Sequence, residues 1–277
     1  MLWKEALTAV ALFACAASAG FVNITCLDWS PDGKSLLFAQ DGVLYLGQAP
    51  NGGHPVQLTP DTTWISWARF SPDGEWIVYV TPVEGGYALW RDWIADREPE
   101  QLLFSESPIY QPTVAPSGTE IAFISATDSQ RDLFLYDLES GETVRLTHTP
   151  FQEACPDFSP DGTALLFVGL WSTGKGGESW DIFVLDIESG DVEQLTDDAF
   201  FDWCPRFSPD GEWIAFESNR SGHSDVYVMR RDGTDLTPFT YDEWRDAFPV
   251  WAPKTGEMIA FASKRVDGWV ILAEGTF

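Results

Sequence analysis

Phe158-Ser159-Pro160-Asp161-Gly162 is the stretch on which the reading of this chain turns, because the chain repeats it. Phe70-Ser71-Pro72-Asp73-Gly74 and Phe207-Ser208-Pro209-Asp210-Gly211 are identical to it, and Trp29-Ser30-Pro31-Asp32-Gly33 differs only at the aromatic. Weaker copies stand at Val114-Ala115-Pro116-Ser117-Gly118 and at Trp251-Ala252-Pro253-Lys254-Thr255-Gly256, the last with one inserted residue. The lead residues 29, 70, 114, 158, 207 and 251 fall 41 to 49 positions apart, a period that belongs to repeat architectures.

Around each copy the sequence parses into four short strands. The lead aromatic ends strand A, and the Asp-Gly behind it supplies a tight turn whose glycine tolerates positive φ. Strand B is apolar, as in Ile77-Val78-Tyr79, Leu165-Leu166-Phe167 and Ile214-Ala215-Phe216. Strand C follows a polar loop, as in Leu133-Phe134-Leu135-Tyr136 and Ile182-Phe183-Val184-Leu185, and strand D is read as ending in Leu58-Thr59, Leu146-Thr147 and Leu195-Thr196. A four-stranded unit that is apolar on both faces must be covered by its neighbours. Six of them predict an all-β fold, a six-bladed β-propeller over residues 20–277. The chain stops just after strand C of the sixth unit, Trp269–Leu272, so the last blade is expected to have three strands and an exposed outer edge.

The repeat [FW]-S-P-D-G-x-x-[IL]-[AL]-F, followed by a Tyr- or Phe-bearing strand and Leu-Thr, resembles the propeller repeat of the TolB family. The propellers of prolyl oligopeptidase-like and dipeptidyl-peptidase-like enzymes share it. The resemblance covers residues 26–277 and implies a propeller without the N-terminal α/β domain that TolB proteins also carry. It further implies a non-catalytic scaffold in the cell envelope that binds proteins or peptides.

Residues 1–19 read as a secretory signal peptide, with Lys4, an apolar stretch from Ala6 to Ala16, and Ala17-Ser18-Ala19 as the cleavage site. The expected location is therefore periplasmic or secreted. A second reading takes Leu12-Phe13-Ala14-Cys15 as a lipoprotein box that anchors the protein through Cys15. No later segment is apolar enough for a transmembrane helix. Beyond residue 19 three cysteines remain, Cys26, Cys155 and Cys204, an odd number that leaves at least one thiol unpaired within the chain. They are read as small buried residues at the start of strand A, with a Cys155–Cys204 disulfide between adjacent blades as a testable alternative.

With 16 Lys+Arg against 43 Asp+Glu the formal charge is −27, which excludes nucleic-acid binding by phosphate neutralisation. It keeps a chain with 14 Trp and 19 Phe soluble and suggests a monomer. It leaves Ca²⁺ as a conceivable ligand, although there is no EF-hand loop.

No catalytic residue and no protein metal site is predicted. The peptidases would need Gly-x-Ser-x-Gly with a later Asp and His, and that pentapeptide is absent. The three histidines, His54, His148 and His223, read as surface residues. Gly169-Leu170-Trp171-Ser172-Thr173-Gly174-Lys175-Gly176 nearly spells a phosphate loop, but Gly176 replaces the Mg²⁺-binding hydroxyl and a strand is expected to follow instead of a helix.

Aligning the repeats exposes one further pattern. Five positions before the lead residue stand Glu153, Asp202 and Asp246 in blades four to six, against Ile24, Ile65 and Ile109 in blades one to three. Two positions further back stand Phe151, Phe200 and Trp244, and Trp203 adjoins Asp202. These seven residues form the candidate binding site, at the junctions of the D–A loops with strand A, on the face where the B–C loops also gather. One reading is a mouth that binds a cation, a protein or a peptide. In the other the acids latch neighbouring loops by hydrogen bonds, and Arg220 and Arg265 pair with nearby acids. The alternative function is a hydrolase or lyase that acts on a polysaccharide or lactone in the central channel.

Overall fold

The computed structural model describes residues 24–61, 63–127, 130–172, 178–266 and 268–275. The expected signal peptide and Cys15 lie outside these residues. Among the described residues there are strands and no helices, hence no helix long and apolar enough to cross a membrane.

Six antiparallel meanders follow one another along the chain. Blade one is β1 (Ile24–Trp29), β2 (Ser35–Gln40), β3 (Val43–Gln48) and β4 (Gly53–Gln57); blade two is β5 (Ala68–Phe70), β6 (Trp76–Val83), β7 (Gly86–Trp93) and β8 (Pro99–Ser105). Blade three is β9 (Ile109–Val114), β10 (Glu120–Thr127), β11 (Gln130–Asp137) and β12 (Thr143–Arg145). Blade four is β13 (Gln152–Phe158), β14 (Ala164–Ser172), β15 (Glu178–Asp186) and β16 (Val192–Gln194). Blade five is β17 (Asp202–Phe207), β18 (Trp213–Ser218), β19 (Asp225–Arg230) and β20 (Thr237–Pro238). Blade six has three strands, β21 (Arg245–Trp251), β22 (Met258–Arg265) and β23 (Gly268–Gly275), and β23 pairs with β22 alone among the described residues.

The first strands neighbour one another in a closed cycle in which β21 meets β1. Closure is by side-chain packing: Leu27, Trp29 and Phe38 of blade one share a buried cluster with Val250, Ala260 and Ile271 of blade six. Similar clusters fill the other interfaces, so the core lies between blades and not within any one of them.

The repeated pentapeptide explains itself in atoms. Ser71 is fully buried; its hydroxyl accepts the Trp76 N–H at 3.1 Å and donates to Asp73 at 2.5 Å, while Asp73 accepts the Glu75 N–H at 2.9 Å. The same set recurs around Ser30, Ser159 and Ser208, which confirms the Asp as a turn former. The Pro serves the next blade: Pro31 lies 3.2 Å from where a Cβ on Gly74 would stand, and Pro253 closes the ring against Gly33 at 3.7 Å.

Strand D is shorter than the sequence suggests, ending before Leu-Thr. The Thr instead turns back to strand C. The Thr59, Thr147, Thr196 and Thr240 hydroxyls accept the backbone N–H of Leu44, Leu133, Ile182 and Val226 at 2.9–3.0 Å. Of the phosphate-loop likeness, residues 169–172 belong to β14, which pairs with β15 in continuous register, while 173–176 lie outside the described residues; the segment that follows is the strand β15 and not a helix.

Candidate functional site

The first strands of blades three to six each carry a register shift near their middle. There Gln111, Cys155, Cys204 and Phe248 take φ of +51° to +55°. Each precedes a proline, which has no N–H to give to the ladder. These bulges, with Cys26 and Trp67 of blades one and two, form a layer of side chains around the axis. Trp67 meets Phe248 edge to face at 6.1 Å, the Gln111 side-chain Oε1 accepts the Cys155 N–H at 2.8 Å, and the Cys155 and Cys204 sulfurs lie 3.5 Å apart. All three cysteines are buried and free.

A second, ionic layer lies two residues further along the strands. Arg206 of blade five donates to Asp157 of blade four at 2.8 Å, lies 3.9 Å from Asp28 of blade one, and donates to the Leu27 carbonyl at 3.1 Å. Arg69 of blade two lies against Trp67 and reaches the same carbonyl at 3.5 Å. Asp28 and Asp157 also accept the Phe70 and Phe207 N–H, at 2.8 and 3.0 Å. Burial pushes the Asp28 carboxyl up and holds the Arg69 guanidinium down at about 10. Burial also disfavours the charged form of Arg206, but Asp157 and Asp28 outweigh it and raise its pKa. The ionic layer brings two guanidinium groups and two carboxylates together where the first strands meet.

The predicted acids sit at the base of the loop face, in the first strands. Glu153 is fully buried and its oxygens are engaged: Oε2 accepts Leu133 N–H at 2.8 Å and Thr147 Oγ1–H at 2.5 Å, and Oε1 accepts Thr149 Oγ1–H at 2.6 Å. It thereby ties blade four to blade three. Burial raises its carboxyl to about 7, against these hydrogen bonds. Asp202 takes both oxygens to Arg220 at 2.9 Å, and Asp246 is bonded to Ser263. Burial raises Asp246 to about 6.

The candidate aromatics divide by environment. Phe151 stacks on Phe183 at 4.8 Å and Trp203 meets Trp180 edge to face at 4.7 Å. Phe200 and Trp244 lie under Arg220 and Arg265, at 5.7 and 5.1 Å. Blades five and six therefore repeat one constellation: Arg220 with Asp198, Phe200 and Asp202, and Arg265 with Asp242 and Trp244. Phe200, Phe201 and Tyr241 are exposed on the same loops, Tyr241 to 85%. Phe201 is anchored through its backbone: its N–H donates to Asn219 at 2.9 Å.

Sequence reasoning missed two sets of residues. Asp132, Asp181 and Asp225 stand two residues before the point where strand C begins to pair with strand D in blades three to five, all fully buried, and Arg145, in an ion pair of 2.8 Å, and His223, at 3.2 Å, serve Asp132 and Asp225. Burial raises Asp181 to about 6. The ionic layer was missed as well. Both sets stand at constant offsets in the repeat, Asp-Leu/Ile/Val in strand C and Asp or Arg just before the lead aromatic, so the same alignment contains them. Among the described residues no group of three or more His, Cys, Asp and Glu could hold a metal ion.

A concavity of about 600 Å³ opens on the opposite face between blades four and five, lined by Asp186, Asp191, Glu193, Glu212, Arg230 and Arg231. Its arginines are already engaged, Arg230 with Glu212 and Asp235 and Arg231 with Asp161.

Residues 93–274 match the PD40 family, the TolB β-propeller domain. The chain belongs to the TolB β-propeller family. An uncharacterised Agrobacterium fabrum protein, Atu1656, is 30% identical over 244 residues, 87% of this chain; the chain spans 66% of that relative's length. A structure from Agrobacterium tumefaciens, provisionally called TolB, superposes with a TM-score of 0.72 at 23% identity over 92% of this chain and 90% of that one. TolB from Acinetobacter baumannii superposes with a TM-score of 0.67 at 18% identity, covering 98% of this chain and 69% of that one. At these identities the two structures bear on the fold, and they share with this chain the TolB-type propeller.

Proposed function

We propose that the chain is a non-catalytic, extracytoplasmic TolB-like scaffold that binds a protein or peptide of the cell envelope through its D–A and B–C loop face. The observation that carries this reading is the set of aromatic side chains, Phe200, Phe201 and Tyr241, left exposed on two neighbouring D–A loops. The loops beneath them are fastened by buried ion pairs and hydrogen bonds. A rigid base under exposed aromatic rings is the usual anatomy of a recognition surface. Glu153, Asp202 and Asp246 contribute as the latches of that base and do not themselves meet the partner. The ionic layer weighs against the alternative of a polysaccharide- or lactone-acting enzyme working in the channel, because its charged groups are engaged with one another and with the Leu27 carbonyl.

The test is capture from an envelope extract by immobilised protein, wild type beside a Phe201→Ser/Tyr241→Ser double variant whose circular dichroism matches wild type. These positions are exposed, so the fold tolerates them. A specific captured protein whose recovery falls at least tenfold with the variant supports the reading. Equal recovery removes the loop face from it, and turnover of a glycan or lactone by the wild type would replace it with the enzymatic alternative.

A further inference from the structure

The structure points to a redox-modifiable pair in the propeller axis: we propose that Cys155 and Cys204 are the substrates of a dithiol–disulfide reaction that staples blade four to blade five. Three observations carry this. The two sulfurs lie 3.5 Å apart, on the innermost strands of adjacent blades. Both residues occupy bulge positions at φ +55° and +51°, which fix where their side chains leave the backbone. The Gln111 side chain holds one of them in place, its carbonyl accepting the Cys155 N–H at 2.8 Å and its amide donating to the Cys155 sulfur at 3.4 Å.

The arrangement also resolves the parity of the cysteines. Cys26 is buried in blade one, among Arg69, Ala68 and Ala39, whereas the Cys155 sulfur stands 3.5 Å from that of Cys204, so Cys155 and Cys204 are the pair the geometry favours. Closing the sulfurs from 3.5 Å to about 2.05 Å requires an approach of about 1.5 Å.

The reaction is a two-electron oxidation. Each thiol gives up its proton, a Sγ–Sγ bond forms, and the two electrons pass to a disulfide-bearing oxidant, which is released as two thiols. Burial raises the Cys204 thiol well above its ordinary range, so exchange on the folded ring is slow and the bond is to be sought on refolding. The staple joins positions 49 apart, and a loop of that length loses substantial freedom in the unfolded chain.

Refolding the wild-type protein in a glutathione redox buffer, followed by non-reducing peptide mapping, tests this directly. The expected result is a linked peptide pair containing Cys155 and Cys204 with Cys26 still alkylatable. The melting temperature of that product should fall by several degrees on reduction. A Cys155→Ser/Cys204→Ser variant should show no shift with reductant. Recovery of Cys155 and Cys204 as free thiols from folded protein across the whole range of oxidising buffers would overturn the proposal, as would a link from either to Cys26. The mapping needs only wild-type protein, so it decides the matter even if the variant folds poorly.

Discussion

Arg206 of blade five donates to the main-chain carbonyl of Leu27 in blade one at 3.1 Å, joining positions 179 residues apart. The same guanidinium holds Asp157 at 2.8 Å, so a single side chain ties blades four, five and one around the axis. Arg206→Ala leaves Asp157 without its ion-pair partner and Asp28 with Arg69 alone. Removal of one partner from a buried pair costs about 3–5 kcal/mol. Urea denaturation should register a loss of that size, and a loss below about 1 kcal/mol would mean that water replaces the guanidinium.

Arg220 and Arg265 occupy equivalent positions in unequal surroundings. Arg220 meets a fully buried Asp202 through two bonds of 2.9 Å, whereas Arg265 meets Asp242, 46% exposed, at 3.0 Å. Arg220→Ala should therefore destabilise by about 3 kcal/mol or more. Arg265→Ala should cost less than about 1 kcal/mol, because exposed pairs are screened and lose side-chain entropy. Equal losses in parallel melts would contradict this ranking.

Stability should fall as the pH rises from 5 to 8. Glu153 sits at about 7 and Asp181 and Asp246 at about 6, all raised by burial. A raised carboxyl binds its proton more tightly in the folded protein than in the unfolded chain. Its stabilising contribution is complete below the unfolded pKa near 4 and is lost as the pH passes through 6 to 7. The mutual repulsion of a chain with a formal charge of −27 acts in the same direction. Denaturation midpoints at pH 5 and 8 check the sign, and Glu153→Gln should flatten the slope between them.

Ser71→Ala removes the hydroxyl that accepts the buried Trp76 N–H and orders Asp73. An N–H stranded in this way costs about 1–3 kcal/mol. Blades three and six carry Ala115 and Ala252 at the equivalent position, so the fold survives without this hydroxyl in single blades. Ser71→Ala should fold normally and melt lower, as calorimetry can show.

The blades were legible because the Ser-Pro-Asp-Gly turn is local: its hydrogen bonds span at most five residues, and the sequence states each of them. The three-stranded sixth blade followed from counting strands. The candidate acids stand at the head of the first strands, where the sequence left two readings open, a binding mouth or a latch. Glu153 is a latch, held by Thr147, Thr149 and the Leu133 N–H of the neighbouring blade, and only the fold brings those partners to it. The bulges at Cys155 and Cys204 left one visible trace, the following proline, whose meaning depends on the register of a partner strand.

Six copies of one turn, spaced by enough apolar alternation for four strands, determined the propeller by themselves, since blades with two oily faces bury them by stacking into a ring. What fills the axis was decided only in three dimensions. Asp28, Arg69, Asp157 and Arg206 stand 41, 88 and 49 residues apart in succession along the chain, and their charges meet because ring closure carries four first strands to one centre. Local sequence fixes each strand's turn and its apolar face. Which charges meet depends on distances that exist only after the last blade packs against the first.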